Sequence, residues 1–268
     1  MPVVSFTHDI LCGESIVSFQ NTGTAEGSAI VETTWTIDNT LLGSDFKFNN
    51  YIVPASGNIH LQLAVGSEYG CASTLDTLLA ILPKPQASIT APDACALDNV
   101  TIHSPEEEGM IYTWIIEENI VGNADTLQYA FMNYGTPEIR LEVENAFGCR
   151  DTATAQVSIF PVPQIQLATI PVCDGDEVTV MNNTTVAYGA LEQHQWYFDG
   201  EGVEAEINEL IRSASEGTHQ VVFEVTTEFG CSAVDSMMTE IKTSPVAEFI
   251  IDNGDICPGE IVSALDAS

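Results

Sequence analysis

The sequence predicts an all-β protein built from tandem antiparallel β-sandwiches. One pattern occurs three times: a glycine, then apolar residues at alternate positions, then an aromatic-Gly-Cys tripeptide. A single tryptophan precedes each copy at nearly the same register, and Pro-x-Pro segments separate the copies. Alternation at period two is typical of a half-buried strand. Repeats of about 80 residues are long enough to fold as separate domains rather than as solenoid units.

The repeated pattern spans residues 57–71, 135–149 and 217–231, with 14 positions from glycine to cysteine in each copy. The alternating residues predict a strand, and the tripeptide predicts a tight turn into the next strand. Glycine supplies the positive φ that a two-residue hairpin needs. We therefore expect this strand pair to organise each repeat.

The remaining landmarks divide the chain into repeats. The tryptophan precedes the cysteine of the tripeptide by 36, 35 and 35 positions, so length differences fall elsewhere. No convincing amphipathic helix is present, although residues 204–212 could form one or two helical turns. Because the chain opens at a repeat boundary and stops inside a repeat, we expect a longer parent protein. The predicted domains are residues 1–82, 83–160, 161–243 and a truncated fourth copy at 244–268.

The charge is strongly acidic, with 6 basic residues against 39 acidic ones and a formal net charge of −33. Such a surface repels phosphate backbones and anionic headgroups, which argues against nucleic-acid and membrane-surface binding. With 45% apolar residues the chain can still bury real cores. The sequence lacks a run of 18 apolar residues, which argues against membrane insertion by this segment. Solubility in a salty exterior accounts for the acidity.

The seven cysteines occur as two per complete repeat and one in the truncated copy. Six cysteines permit 15 connectivities, but tandem copies favour one that repeats identically. Pairing within repeats is expected, and disulfides imply an oxidising, exported location. The close Cys-x2-Cys spacing of zinc sites is missing, which disfavours a metal site. The expected structural bridges are Cys12–Cys71, Cys95–Cys149 and Cys173–Cys231, with Cys257 unpaired.

The tryptophans Trp35, Trp114 and Trp196 have two interpretations. They could be platforms on which a ligand stacks. A single tryptophan at a fixed register of a sandwich is more often a core residue. We expect them to be buried.

The sequence contains no recognisable catalytic motif. The five histidines occupy unrelated positions in the repeats, and neither a nucleophile elbow nor a phosphate loop or dinucleotide fingerprint is present. We therefore predict no enzymatic activity, no catalytic residues and no cofactor.

Calcium binding, if any, is expected to be weak and non-specific. Carboxylate clusters are expected by composition in so acidic a chain, and the Pro-x-Pro links carry no carboxylate that calcium could bridge. The candidate oxygen ligands are Asp199, Glu201 and Glu204, the pair Asp252 and Asp255, and Glu106, Glu107 and Glu108.

The layout resembles tandem PKD-type (polycystic-kidney-disease) domains, which have an Ig-like fold. The motifs that carry the resemblance are Cys-x-Gly-Glu, Trp-x-Phe-Asp-Gly-x-Gly at 196–202, and Phe-Gly-Cys-x-Asp-Thr at 147–152. Repeats one and two depart from the tryptophan signature. In particular, the chain resembles the repeats of Bacteroidota cell-surface and gliding-type adhesins. The resemblance implies Ig-like domains strung as beads in a rod, with a spacer or interaction role outside the cell.

Two functional hypotheses follow. The first is a non-enzymatic structural or adhesive stalk or filament segment of a large exported bacterial surface protein. Its expected partners are neighbouring repeats, surface glycans or surface proteins, or further copies in self-assembly. The alternative is a carbohydrate-binding or accessory module of a secreted hydrolase, which would need exposed, coplanar aromatic rings. The rings whose exposure and coplanarity would test this alternative are Tyr51, Tyr129, Phe131, Tyr134 and Tyr188.

Overall fold

A computed structural model describes residues 1–251, 258–259 and 261–268. The chain divides into two compact units. The first comprises residues 1–93, 99–130 and 136–158, and the second comprises 94–98, 131–135 and 159–268. Among the described residues, no helix is long and apolar enough to span a membrane.

The first unit contains two sandwiches built on one plan. Their strands are β1 (Phe6–His8), β2 (Ile16–Asn21), β3 (Ile30–Ile37), β4 (Thr40–Gly43), β5 (Lys47–Ile52), β6 (Asn58–Ser67), β7 (Ala72–Ala80), β9 (Asn99–His103), β10 (Ile111–Ile116), β11 (Asn119–Gly122), β12 (Thr126–Ala130), β13 (Glu138–Glu144) and β14 (Arg150–Gln156). In repeat one, a sheet ordered β1-β2-β5 faces a sheet ordered β4-β3-β6-β7. In repeat two, the pair β12-β9 faces a sheet ordered β11-β10-β13-β14.

The second unit repeats the plan in its sheets β16-β18-β21 and β17-β23-β22-β19-β20. It also holds the short parallel pair β15-β8 and the hairpin β24-β25. The hairpin has the register of the first hairpin of repeat one: Phe249 pairs with Asp266 as Phe6 pairs with Asn21. The strands are β8 (Ala94–Cys95), β15 (Ile159–Phe160), β16 (Leu167–Thr169), β17 (Val172–Cys173), β18 (Glu177–Asn182), β19 (Leu191–Phe198), β20 (Glu201–Val203), β21 (Glu209–Ser213), β22 (Gly217–Thr227), β23 (Ser232–Lys242), β24 (Phe249–Ile251) and β25 (Ala264–Asp266).

The three tryptophans are core residues, as predicted. Trp35, Trp114 and Trp196 are each 0% exposed. Each indole N–H donates to the backbone carbonyl ten residues further along the chain, at 2.9, 2.7 and 3.0 Å. A buried indole N–H usually finds a hydrogen-bond partner, because an unpaired buried donor is destabilising. The loop after the next strand (β4, β11 or β20) provides that partner in all three repeats.

The tripeptide turns differ from the prediction in one respect. In the turn before Cys71, the Gly70 N–H donates to the Ser67 carbonyl and the Ser67 N–H donates to the Cys71 carbonyl. This is a three-residue loop with a left-handed glycine, not the predicted two-residue hairpin. The same pair of bonds recurs before Cys149 and Cys231. Glycine is needed here, since its φ is 75°, 82° and 81° in the three copies.

Two-residue turns occur instead at the hairpin that follows each tryptophan. Their central residues both have positive φ, as a type I′ turn requires. They are Asp38 with Asn39, Glu117 with Glu118, and Asp199 with Gly200. The predicted all-β fold of tandem Ig-like antiparallel sandwiches is confirmed. The suggested helical turns at 204–212 are wrong, because that segment forms an extended bridge and β21.

Candidate functional site: the disulfide-bonded repeat junctions

The first cysteine of each complete repeat pairs with a residue that ends the closing strand of that repeat or follows it by up to four positions in the sequence. Cys12, Cys95 and Cys173 form parallel bridges with Leu82, Phe160 and Lys242. The next residue's N–H then donates to that partner's carbonyl, at 3.0, 2.9 and 2.7 Å. The second residue after each cysteine has positive φ: Glu14, Leu97 and Gly175. We call this end of a repeat its closing pole.

The second cysteine lies at the opposite end of the repeat. Cys71, Cys149 and Cys231 follow the three-residue loops at 68–70, 146–148 and 228–230, directly before the closing strands β7, β14 and β23. We call this end the turn pole. A closing strand therefore separates the two cysteines of one repeat.

The predicted pairing within repeats is wrong. The nine residues of β7 span about 30 Å at about 3.3 Å per residue, whereas a disulfide needs Cα atoms within about 7 Å. The bridges instead join the closing pole of one repeat to the turn pole of the next. Cys12 bonds Cys149 and Cys95 bonds Cys231, each with a Cα–Cα distance of 5.6 Å.

Four of the six predicted bridge cysteines therefore have other partners than expected, and two are not bonded. Cys71 is an exposed free thiol and Cys173 is a half-buried one. Cys71 is a turn-pole cysteine and Cys173 is a closing-pole cysteine, so each belongs to one half of a junction. Cys257, the predicted unpaired cysteine, lies outside the described residues.

The first junction, in the first unit, is held by a buried amide. Asn145 Nδ2 donates to the Pro83 carbonyl at 2.7 Å. Its Oδ1 accepts from the backbone N–H groups of Phe147 and Cys149 at 3.1 and 3.0 Å. One side chain thus fixes the turn that presents Cys149 and ties that turn to the first residue of the Pro-Lys-Pro link.

An ion pair lies beside this amide. Lys84 Nζ is 2.9 Å from Asp151 Oδ1, and the Ala87 N–H donates to Asp151 Oδ2 at 2.9 Å. Partial burial raises the pKa of Asp151, but the hydrogen bonds from Lys84 and Ala87 outweigh it, so the pKa lies below its ordinary value. The bond to Asp151 raises the pKa of Lys84.

The second junction, in the second unit, is aromatic. The Phe160 and Phe229 rings stack with centroids 4.3 Å apart and planes 4° from parallel. Tyr188 packs edge-on to Phe229 at 5.8 Å, and its hydroxyl donates to the Ile159 carbonyl at 3.3 Å. Thr227, at the position of Asn145, accepts the Cys231 N–H on Oγ1 at 3.2 Å.

The aromatic residues considered for carbohydrate binding separate into two groups. Phe131 is buried, while Tyr51 and Tyr129 are half-buried. Tyr134 and Tyr188 are 53% and 42% exposed, but their planes lie 73° apart. Coplanar exposed rings, which the carbohydrate hypothesis needs, are therefore not formed by this pair. Tyr134 lines a cavity of about 470 Å³ with Leu97, Pro163 and Ala187.

Two of the three calcium candidates at the type I′ hairpin and after it, Asp199 and Glu201, are engaged by other groups, and the third, Glu204, is exposed. Asp199 Oδ2 is 2.7 Å from His219 Nδ1, and Asp199 Oδ1 accepts the Gln220 N–H at 2.9 Å. The His219 bond lowers the pKa of Asp199 and raises the pKa of His219. Glu201 lies 3.6 Å from Arg212.

Within the described part of the chain, no group of three or more His, Cys, Asp or Glu side chains could hold a metal ion. Glu106, Glu107 and Glu108 lie on an exposed loop. The predicted pair Asp252 and Asp255 falls outside the described residues.

No protein-family model matches the sequence, and no curated protein is detectably similar to it. Solved structures of tandem domains do match. The three N-terminal domains of the highly immunogenic outer capsid protein of bacteriophage RB49 are 11% identical, with 91% of this chain and 100% of that chain covered and a TM-score of 0.40. Fibronectin(III)-like modules of CbhA from Clostridium thermocellum are 12% identical, covering 58% and 95%, with a TM-score of 0.29.

A third match is the Bacteroides ovatus protein SGBP-B of a mixed-linkage glucan utilization locus, solved with a heptasaccharide. It is 15% identical, covering 97% of this chain and 75% of that chain, with a TM-score of 0.23. Identities and TM-scores this low do not bear on what the present chain binds.

Proposed function

We propose that this chain is a non-enzymatic structural segment of an exported bacterial surface protein, in which each repeat is covalently joined to the next. The domains are residues 1–82, 83–160, 161–243 and the partial copy at 244–268. The single observation that carries the proposal is the disulfide connectivity. A bridge within a repeat would protect that repeat alone, whereas the bridges Cys12–Cys149 and Cys95–Cys231 cross the links between repeats.

The two bridges shorten the covalent path that a pulling force can extend. Without bridges, 219 positions separate Cys12 from Cys231 and could extend to roughly 750 Å at about 3.4 Å per residue. With both bridges, the path runs from Cys12 to Cys149, back along the chain to Cys95, and across to Cys231. That path contains 54 positions and extends to roughly 190 Å. Crossed bridges of this kind suit a protein that must not lengthen under load.

Single-molecule extension of the whole chain between its ends tests the proposal. Reduction should release an additional 165 positions of contour, roughly 560 Å. The variant C12S/C149S should leave 83 positions between Cys12 and Cys231, and C95S/C231S should leave 82. Equal contour lengths before and after reduction would refute a load-bearing role for the bridges.

The resemblance to PKD-type repeats and the disulfides support an extracellular or cell-surface location, because disulfides persist in oxidising compartments. The formal charge of −33 favours solubility and spacing of such segments at the surface. Partners of this segment are neighbouring repeats, with surface glycans or surface proteins as further partners.

A second candidate function is glycan binding beside the second junction, favoured by the exposed ring of Tyr134 and the cavity that it lines. The adjoining cavity of about 470 Å³ could admit a sugar ring. Binding of the oxidised chain to a glycan array, compared with Tyr134→Ala, tests this function. Glycan binding that is lost in the variant would support a carbohydrate-binding or accessory module of a secreted hydrolase, whereas no binding would leave the structural role alone.

A further inference from the structure

The turn pole of repeat one is a copy of a surface that is engaged at both observed junctions. Its loop at 68–70 has the same two backbone hydrogen bonds as the loops that present Cys149 and Cys231. In those two copies the cysteine is bonded to a closing pole. In repeat one, Cys71 is free and exposed.

The aromatic residue of the same loop is also uncovered. Tyr69 is 77% exposed, whereas its counterpart Phe229 is 37% exposed and stacks on Phe160 of a closing pole. Phe147, whose junction is polar, is 55% exposed. Tyr69 therefore presents an apolar ring at the position where a closing pole is contacted elsewhere in the chain.

The complementary half is present on the same chain. Cys173 occupies the closing pole of repeat three with the parallel bridge, the backbone hydrogen bond and the positive φ two residues on that Cys12 and Cys95 show. Lys242, the last residue of β23, pairs with Cys173 as Phe160 pairs with Cys95. A lysine suits a partner that carries Tyr69 and the neighbouring Glu68, through charge attraction and contact with the ring face.

We propose that the turn pole of repeat one docks on the closing pole of repeat three in a second copy of the chain, with a Cys71–Cys173 disulfide. The inference rests on the proposed function, since it extends the same junction from within a chain to between chains. The contact is heterologous, because the two surfaces differ, so it generates head-to-tail chains.

The bond forms by thiol–disulfide exchange with a low-molecular-weight disulfide such as oxidised glutathione. One cysteine thiolate attacks the small disulfide and releases one small thiol, and the second cysteine thiolate then displaces the other. Two protein thiols lose two protons and two electrons, and the small disulfide is reduced to two thiols.

The test uses two full-length variants that each retain one of the two thiols. C173S/C257S retains Cys71, and C71S/C257S retains Cys173. Each variant is incubated by itself in a glutathione redox buffer, and a mixture of the two variants is incubated in the same buffer. The salt concentration is one that screens the acidic surfaces. We expect covalent heterodimers to exceed homodimers of either variant by about tenfold, the ratio that 1.4 kcal/mol of specific contact gives.

Tyr69→Ser in the Cys71-bearing variant separates a docking surface from a merely reactive thiol. The heterodimer yield should fall severalfold, whereas Leu78→Ser, at another exposed apolar side chain of repeat one, should leave it unchanged. Heterodimers no more abundant than homodimers, or a yield insensitive to Tyr69→Ser, would overturn the proposal. So would bonding of Cys71 to Cys257 rather than Cys173 in the unaltered chain.

Peptide mapping of the same samples distinguishes the two proposals. If Cys12–Cys149 and Cys95–Cys231 are present but the heterodimer is not, the docking proposal fails and the proposed function stands. If the internal bridges are absent as well, both fail.

Discussion

The two junctions use the same disulfide in different surroundings. At the first, a buried amide and an ion pair surround the Cys12–Cys149 bridge: Asn145 contacts the Pro83 carbonyl, and Lys84 contacts Asp151. At the second, the Cys95–Cys231 bridge lies with stacked rings, and Thr227 replaces the amide. The position of Asp151 is Ala233 in repeat three.

The comparison shows which part of a junction carries its geometry. The features common to both are the disulfide, the left-handed residue two positions after the closing-pole cysteine, and the three-residue loop before the turn-pole cysteine. These shared features occur in both polar and aromatic surroundings. We infer that the shared backbone features determine which cysteines bond, while the surroundings determine how stable each junction is and how it responds to conditions.

The largest expected effect is the loss of a bridge. C12S/C149S and C95S/C231S should each lower the free energy of unfolding by about 2–5 kcal/mol, because each bridge closes a long loop in the unfolded chain. Denaturant unfolding followed by circular dichroism measures it. The two closed loops are nearly equal in length, with sequence separations of 137 and 136. A difference in unfolding free energy between the two variants would therefore come from the surroundings of the bridges. Unchanged unfolding of both variants would contradict the assigned bridges.

The buried amide should give the next largest effect. Asn145→Ala removes one donor and an acceptor of two N–H groups, and should cost about 2 kcal/mol. The matched change at the second junction, Thr227→Val, removes the acceptor of a single N–H and should cost about 1 kcal/mol. The same unfolding measurement compares them. An equal or larger cost at Thr227 would show that the amide does not strengthen the first junction.

The aromatic stack should contribute about 1–2 kcal/mol. Phe229→Ala removes the stacked ring against Phe160 and the edge contact with Tyr188. The control is Phe147→Ala at the first junction, where the ring is more exposed and the cost should stay within about 0.5 kcal/mol. Thermal unfolding of both variants tests the contrast, and equal shifts would contradict it.

The smallest effect concerns pH. The pKa of Asp151 is lowered in the folded chain, so its contribution is present above the ordinary aspartate pKa of about 3.9 and is lost as pH falls through the folded value. Lys84, with a raised pKa, loses its contribution only as pH rises through its own folded value. The pair is partly exposed, so Asp151→Asn should cost under about 1 kcal/mol at neutral pH.

The free energies of unfolding of the unaltered chain and of Asp151→Asn should converge as the pH falls through the folded pKa of Asp151, which is below its ordinary value. Asp151→Ala serves as a second variant, since it removes the hydrogen bond to Ala87 as well. A stability difference that stays constant from neutral to acidic pH would show that the ion pair makes no contribution.

Much of the fold could be predicted because local pattern and burial agree. Alternating residues such as Leu61 and Leu63 form the buried face of β6, and Trp35 lies in the core between the two sheets of repeat one. The turn type was harder to predict. A glycine with positive φ fits both a two-residue hairpin and the last position of a three-residue loop, and the sequence pattern is the same for both.

The pairing of cysteines required strand direction, which the spacing along the chain does not contain. Cys12 precedes β2 and Cys71 precedes β7. These two strands begin at opposite ends of the sandwich, since Cys12 lies beside the end of β7. The Asn145–Pro83 contact and the Phe160–Phe229 stack were missed for a related reason, because they join positions whose proximity follows from that connectivity.

The connectivity also sets an order of events during synthesis. Cys71 is made 59 positions after Cys12, whereas the true partner Cys149 is made 137 positions after it. At about 5–20 residues per second, Cys12 must stay reduced for roughly 7–27 s, and the wrong partner Cys71 is present for roughly the last 4–16 s of that time. Folding of the first repeat in that interval moves Cys71 to the far pole. A repeat that folds before its cysteines are oxidised therefore prevents the wrong Cys12–Cys71 bond, because folding separates the two thiols.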